Sequence, residues 1–257
     1  MKFLQRLLNF YIQSSIHVGF AVFCLVYITT FSNNLNMDIN YPSCVFFGTI
    51  LGYNFLKYFY VFWNGNFASK KYYSIFIISI LSFVGFLFFL LLLKRSIQIN
   101  LFFSGIAVVV YPFLRKFGWL KLFFVSAVVT YISVFIPYEN VIGTRFEFEI
   151  NCLQRFLILS GLLIPFEIMD SIQDPVSLQT LPQKFGINKS KLFGMLLVIP
   201  FIILEFLKFN SSLVSLFIGL VTVILIHFSS VHRNKYYANF WVESVPIFWM
   251  VALLFSK

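Results

Sequence analysis

FEIMDSIQDPVSLQTLPQKFG, residues 166–186, closes one hydrophobic run and opens a polar loop in a chain that is otherwise oily. It brings Glu167, Asp170 and Asp174 together. At 100° per residue on a helix, the three carboxylates fall within about 60° of one another. They stand where the C-terminal end of a helix is already negative, so the local field disfavours them. A cluster of this kind asks for a cation. The plainer reading is a solvated helix end in a cytoplasmic loop.

The composition sets the class. Apolar residues make up 60% of 257, charged residues 11%, and mean hydropathy is +0.89. A soluble domain carries about 25% charged residues. The chain therefore reads as an all-α polytopic membrane protein, a single integral membrane domain over 1–257. Phenylalanine, at 37 residues, outnumbers the other aromatics, and with many Ile, Asn and Lys it points to an AT-rich, bacterial source. The net charge of +10 suits basic loops beside anionic lipid, and no nucleic-acid motif accompanies it. Cys24, Cys44 and Cys152 lack the paired spacing of a disulfide framework or a zinc site. The segment MKFLQRLLNFYIQSS is basic and amphipathic, and no small-residue cleavage site follows it.

A spanning helix needs about 20 mostly apolar residues. Nine such runs fill the chain, at about 16–32, 43–63, 73–93, 97–113, 119–137, 152–170, 191–208, 211–231 and 240–256. With the N-terminus inside, the inner segments hold thirteen of the nineteen Lys and Arg. The positive-inside rule then places the N-terminus in the cytoplasm and the C-terminus outside, in a bacterial cytoplasmic membrane. Asp38, Glu139, Glu147, Glu149 and Glu205 fall on the outer side; Glu167, Asp170, Asp174 and Glu243 fall on the inner side among the basic residues.

Chemistry collects on that inner face. Span two ends in GYNFLKYFYVFW, span four in YPFLRKFG, span six in the acidic trio, and span eight in HRNKYY; span nine begins FWVESVP. A pocket there would have carboxylates, Lys and Arg, and aromatic walls from Tyr53, Tyr58, Tyr111, Tyr236, Tyr237 and Trp241. Carboxylates bind magnesium, magnesium and basic side chains bind diphosphate, and aromatic faces stabilise a cation. The combination suits ionisation of an allylic diphosphate beside a lipid-facing pocket.

At this point the residues resemble the UbiA-type intramembrane prenyltransferases. That family has nine membrane helices and two Asp-rich motifs, at the inner ends of helices two and six. Its second motif reads R-D-I-x-D-x-x-x-D, then T-L-P and a small hydrophobic-Gly element. Phe166-Glu167-Ile168-Met169-Asp170-Ser171-Ile172-Gln173-Asp174 matches it, with Glu167 in an Asp position and Phe166 in place of Arg, followed by Thr180-Leu181-Pro182 and Gly186. Tyr111 to Lys116 after span four and Tyr237 to Glu243 entering span nine are weaker echoes. The first motif, N-D-x-x-D-x-x-x-D, is represented only by Asn54: its three Asp positions hold Phe55, Tyr58 and Phe62.

The resemblance implies a bundle of about nine transmembrane helices and a prenyl diphosphate whose chain passes to a membrane-associated acceptor. It implies Mg2+ on Asp170 and Asp174, with Glu167 in support. Phosphate contacts fall to Lys57, as a fixed charge where the first motif lacks carboxylates, and to Arg115 and Lys116. Asn54, Tyr58 and Tyr111 fall to the substrate pocket. A second reading belongs to another class: a catalytically inactive relative that binds an isoprenoid or quinone lipid, or a membrane partner. The absent first motif favours it, and the retained second motif favours the enzyme. Elsewhere, His17, His227 and His232 show no metal-ligand spacing, no Ser stands in a G-x-S-x-G context, and Glu205 with Lys208 reads as a helix-end ion pair.

Overall fold

The computed structural model describes residues 2–36, 38–63, 70–114, 117–139, 145–209 and 211–256. Among these the regular structure is all helical, without strands. In order, the helices are α1 (Lys2–Gln13), α2 (Ile16–Ser32), α3 (Asn40–Trp63), α4 (Lys70–Leu92), α5 (Arg95–Leu114), α6 (Leu120–Thr130), α7 (Ile136–Tyr138), α8 (Arg145–Asp170), α9 (Leu181–Phe185), α10 (Ile187–Glu205), α11 (Leu213–His227) and α12 (Val245–Ser256). A π-helical turn, Tyr131–Phe135, joins α6 to α7, and a second, Tyr237–Val242, leads into α12.

Each of the nine expected spans coincides with a helical segment. Among the described residues six helices are by themselves long and apolar enough to cross a membrane. A seventh crossing is gained when α1 and α2, bent by 59° at their junction, count as one. Besides these, α3 runs for 24 residues, and α11, with 15, is short for a crossing. The outward faces are greasy: Leu91, Leu213 and Phe255 are 78%, 83% and 88% exposed. Such surface is at home only in lipid, and the protein is an integral membrane protein.

One boundary departs from expectation. The apolar run puts the sixth span over 152–170, but α8 begins at Arg145. Arg145, Glu147 and Glu149 break the apolar run without breaking the helix, and Arg145 Nε pairs with Glu149 Oε1 at 2.8 Å one turn on.

Two packed cores share α2. One gathers α6, α8, α10, α11 and α12 around Ile164, Val198, Phe201 and Ile226. Gly161 and Gly194 let α8 and α10 close up there: a Cβ on Gly194 would press on Ile164, and one on Gly161 on Val198. The other core joins α2 to α3, α4, α5 and α7 around Val26, Tyr41 and Cys44. This second half is hollow between α3, α5 and α6.

Candidate functional site

The acidic stretch folds through its own polar residues. Asp174 N–H donates to the Asp170 carbonyl at 2.8 Å, turning the chain out of α8. Gln183 reaches back: its Oε1 accepts from Thr180 N–H at 3.1 Å, and its Nε2 donates to the carbonyls of Asp174 (2.9 Å) and Ser171 (3.2 Å). Pro182 sits in the first turn of α9, where a missing N–H costs nothing. The TLPQ sequence thus fastens the loop over the end of α8.

The three carboxylates differ in burial. Asp170 is exposed, while Glu167 is buried at 8% exposure. Lys121, in the first turn of α6, lies between Glu167 and Asp174. Its Nζ is 3.0 Å from Glu167 Oε1 and 3.2 Å from Asp174 Oδ2, with all three side chains at 10% exposure or less. Glu167 Oε2 is buried with no hydrogen-bond partner.

Gly118 sets Lys121 in place. Its φ of +59° is a left-handed conformation that L side chains rarely adopt, and a Cβ there would run into the carbonyl oxygens of Leu178 and Gln179. The turn before α6 therefore lies flat against the loop 176–179, and α6 starts directly beneath the acidic stretch.

These residues suit the expected Mg2+ poorly. Among the described residues no three His, Cys, Asp or Glu side chains are grouped to hold a metal ion. Magnesium needs oxygens at about 2.0–2.1 Å in near-octahedral array. An ammonium already takes one oxygen from each of two expected ligands.

The other expected residues separate into two groups. Asn54 is fully buried and donates to Ser79 Oγ at 3.0 Å, tying α3 to α4, with its Oδ1 unpartnered. Tyr58 donates to the Gln13 carbonyl at 2.9 Å, tying α3 to the end of α1. Tyr111 stacks on Phe124 with ring centroids 6.4 Å apart. Lys57 keeps accessible surface although helices close around it. Its Nζ lies 5.6 Å from the Tyr53 ring and 3.5 Å from Ser15 Oγ. Glu243, at the end of the second π-helical turn, is the carboxylate whose field reaches it. Arg115 and Lys116 lie outside the described residues.

Between α3, α5 and α6 lies a cavity of about 520 Å³, within the usual range for a bound ligand. Its walls are almost wholly apolar. Gly48 and Gly52 on α3 and Ser104 and Gly105 on α5 line it, and of the three glycines Gly105 alone has open space where a Cβ would go. Tyr53 and Tyr111 also line it, so Lys57 adjoins it across the Tyr53 ring.

His17 belongs to the framework. It is 2% exposed and contacts Tyr11 Oη at 3.1 Å, the Phe240 carbonyl at 3.1 Å and Ser244 Oγ at 3.2 Å, joining α1, α2 and the turn before α12. Sequence reasoning missed Lys121 as a partner of the acidic stretch. The signal was weak: a lysine in WLKLFF, where a spanning helix begins, reads as a headgroup anchor as readily as an ion-pair partner.

No known family profile matches the chain, and no curated protein matches it in sequence. Among solved structures it is similar to the apo structure of a UbiA homolog from Aeropyrum pernix K1, with TM-score 0.67 and 12% identity over 93% of this chain and 97% of that one. At that identity the likeness speaks for architecture, and it takes in nearly the whole helical bundle. The chain has the UbiA-type fold.

Proposed function

We propose that the protein holds the isoprenoid chain of a prenyl diphosphate in the cavity between α3, α5 and α6 and passes that chain to a membrane-associated acceptor. The observation that carries this reading is the apolar cavity of about 520 Å³ adjoining a cationic side chain, Lys57, across an aromatic ring. The apolar walls suit the chain, and the ammonium suits the headgroup. In the transfer, the allylic C–O bond breaks and diphosphate leaves with the bonding pair. The acceptor bonds to the freed carbon and gives up a proton, for which Glu243, the carboxylate whose field reaches Lys57, would be the base. Tyr53 and Tyr111 would face the cationic carbon.

A second reading is favoured by one observation. Where the resemblance puts first-motif carboxylates, the chain has Phe55 and Tyr58, and Tyr58 serves to tie α3 to α1. On that reading the same cavity binds an isoprenoid or quinone lipid without reaction. Release of inorganic diphosphate separates the two: a transferase supplied with acceptor-containing membrane extract releases it, and a binder does not.

Binding of labelled farnesyl diphosphate in detergent tests the cavity itself. Gly105 has open space where a Cβ would be. Gly105→Phe should therefore fill the cavity without disturbing the fold, lowering affinity about tenfold or more at unchanged melting temperature. Lys57→Met should remove a charge-assisted contact of about 1.5–3 kcal/mol, about 10- to 150-fold in affinity. Affinity unchanged in both variants would sink the reading.

A further inference from the structure

We propose that Lys121 is the resident cation of the acidic stretch, and that this protein binds its prenyl ligand without a divalent metal. The inference rests on the proposed function for the identity of the ligand, but its metal half stands on geometry alone.

Two independent features point the same way. The first is the lysine bridge. Glu167 and Asp174 come from α8 and the loop after it, Lys121 from α6, and the three meet with at most 10% of any side chain exposed. An ammonium and a magnesium ion ask for the same oxygens. Both cannot be served, because two cations a few ångströms apart in a poorly solvated site repel strongly. Displacing Lys121 would strand a buried ammonium, which is costly unless it finds new partners. The lysine is also fastened from behind: Gly118 locks the start of α6 against the carbonyls of Leu178 and Gln179.

The second feature is the other half of the face. A two-motif metal site needs carboxylates from α3, and α3 offers Asn54, turned to Ser79, with Tyr58, turned to Gln13. The cation on α3 is Lys57. Both places where a metal-dependent site would put metal-bound carboxylates are thus served by a lysine, one bridging acids and one beside the cavity.

The test uses the purified full chain in detergent, with Mn2+ as a paramagnetic stand-in for Mg2+ and electron paramagnetic resonance as the readout. The native chain is expected to bind no Mn2+ below about 1 mM, a range typical of weak carboxylate sites. Lys121→Met frees the carboxylate oxygens and should bind Mn2+ about tenfold tighter, with Lys121→Arg as native. Native binding below 1 mM that disappears in Asp174→Asn would overturn the proposal. Should Lys121→Met fail to fold, the native chain against Asp174→Asn still decides. A second arm measures farnesyl diphosphate binding in EDTA and in MgCl2. Affinities within about twofold are expected; a tenfold or greater requirement for Mg2+ would overturn the proposal. No binding in either medium would remove the proposed ligand, while the Mn2+ arm still decides whether Lys121 fills the cation site.

Discussion

Replacing Gly118 by alanine is expected to cost about 3 kcal/mol or more, the largest effect expected of alanine at any of the described glycines. Two causes add. An L-residue in the left-handed region costs roughly 1–2 kcal/mol, and φ here is +59°. The added Cβ also meets the carbonyl oxygens of Leu178 and Gln179, which are backbone and cannot swing aside as a side chain would. Overpacking of this kind costs typically 1–3 kcal/mol. In a chain of this size the sum corresponds to a drop of about 6–12 °C in melting temperature. A thermal scan in detergent reads it. A loss no larger than the backbone part of roughly 1–2 kcal/mol would mean that the loop 176–179 does not rest on the turn before α6.

The consequence reaches the site. If Gly118→Ala pushes α6 off the loop, Lys121 loses its register with Glu167 and Asp174. The variant should then gain Mn2+ binding as Lys121→Met does, without any change in a charged residue. A stability loss with no gain in Mn2+ binding would separate the packing role of Gly118 from its role in seating Lys121.

The membrane class and the nine helical segments were legible because hydropathy is local. A run of about 20 apolar residues reports its own fate whatever it packs against. The start of α8 was not legible, because Arg145, Glu147 and Glu149 read as the end of an apolar run, whereas a helix continues past the lipid boundary when its charges can pair one turn apart. The acidic stretch was legible as a cluster, and TLPQ as its companion. Their relation to Lys121 was not, for Asp174 and Lys121 are 53 residues apart and meet only through the packing of α6 on α8. Helical spacing put Glu167, Asp170 and Asp174 on one arc, but an arc of about 60° still spans the line between interior and surface. Glu167 fell inside it and Asp170 outside. The cavity was illegible for a different reason. Of the glycines that line it, Gly105 faces open space while Gly48 and Gly52 pack against Phe86 and Val108, and in a membrane helix a small residue marks close packing as readily as open space.

Charges counted toward the outer loops proved buried, which leads to the last expectation. Glu205 ends α10 and is 1% exposed. Its Oε2 accepts from Gln154 Nε2 at 2.9 Å and lies 3.3 Å from Lys208 Nζ, while its Oε1 accepts from the Ser212 N–H at 2.8 Å. One carboxylate thus joins α8, the end of α10 and the start of α11. Glu205→Ala removes the acceptor from all three donors at once. The Lys208 ammonium, only 13% exposed, is left without its counter-charge, and Arg155 nearby has a buried Nη1 already without a partner. Breaking a buried pair from one side costs about 3–5 kcal/mol. Lys208→Met alone should cost less, because Gln154 and the Ser212 N–H still satisfy the carboxylate. In the double variant Glu205→Ala with Lys208→Met, no unpaired ammonium remains, so the loss should fall short of the sum of the singles by about 1–3 kcal/mol, the coupling expected of residues in direct contact. Unfolding of the four proteins in a common detergent measures that coupling. Strict additivity would mean that Glu205 acts only through its hydrogen bonds to Gln154 and Ser212, and that the ion pair with Lys208 contributes nothing to the join between α8, α10 and α11.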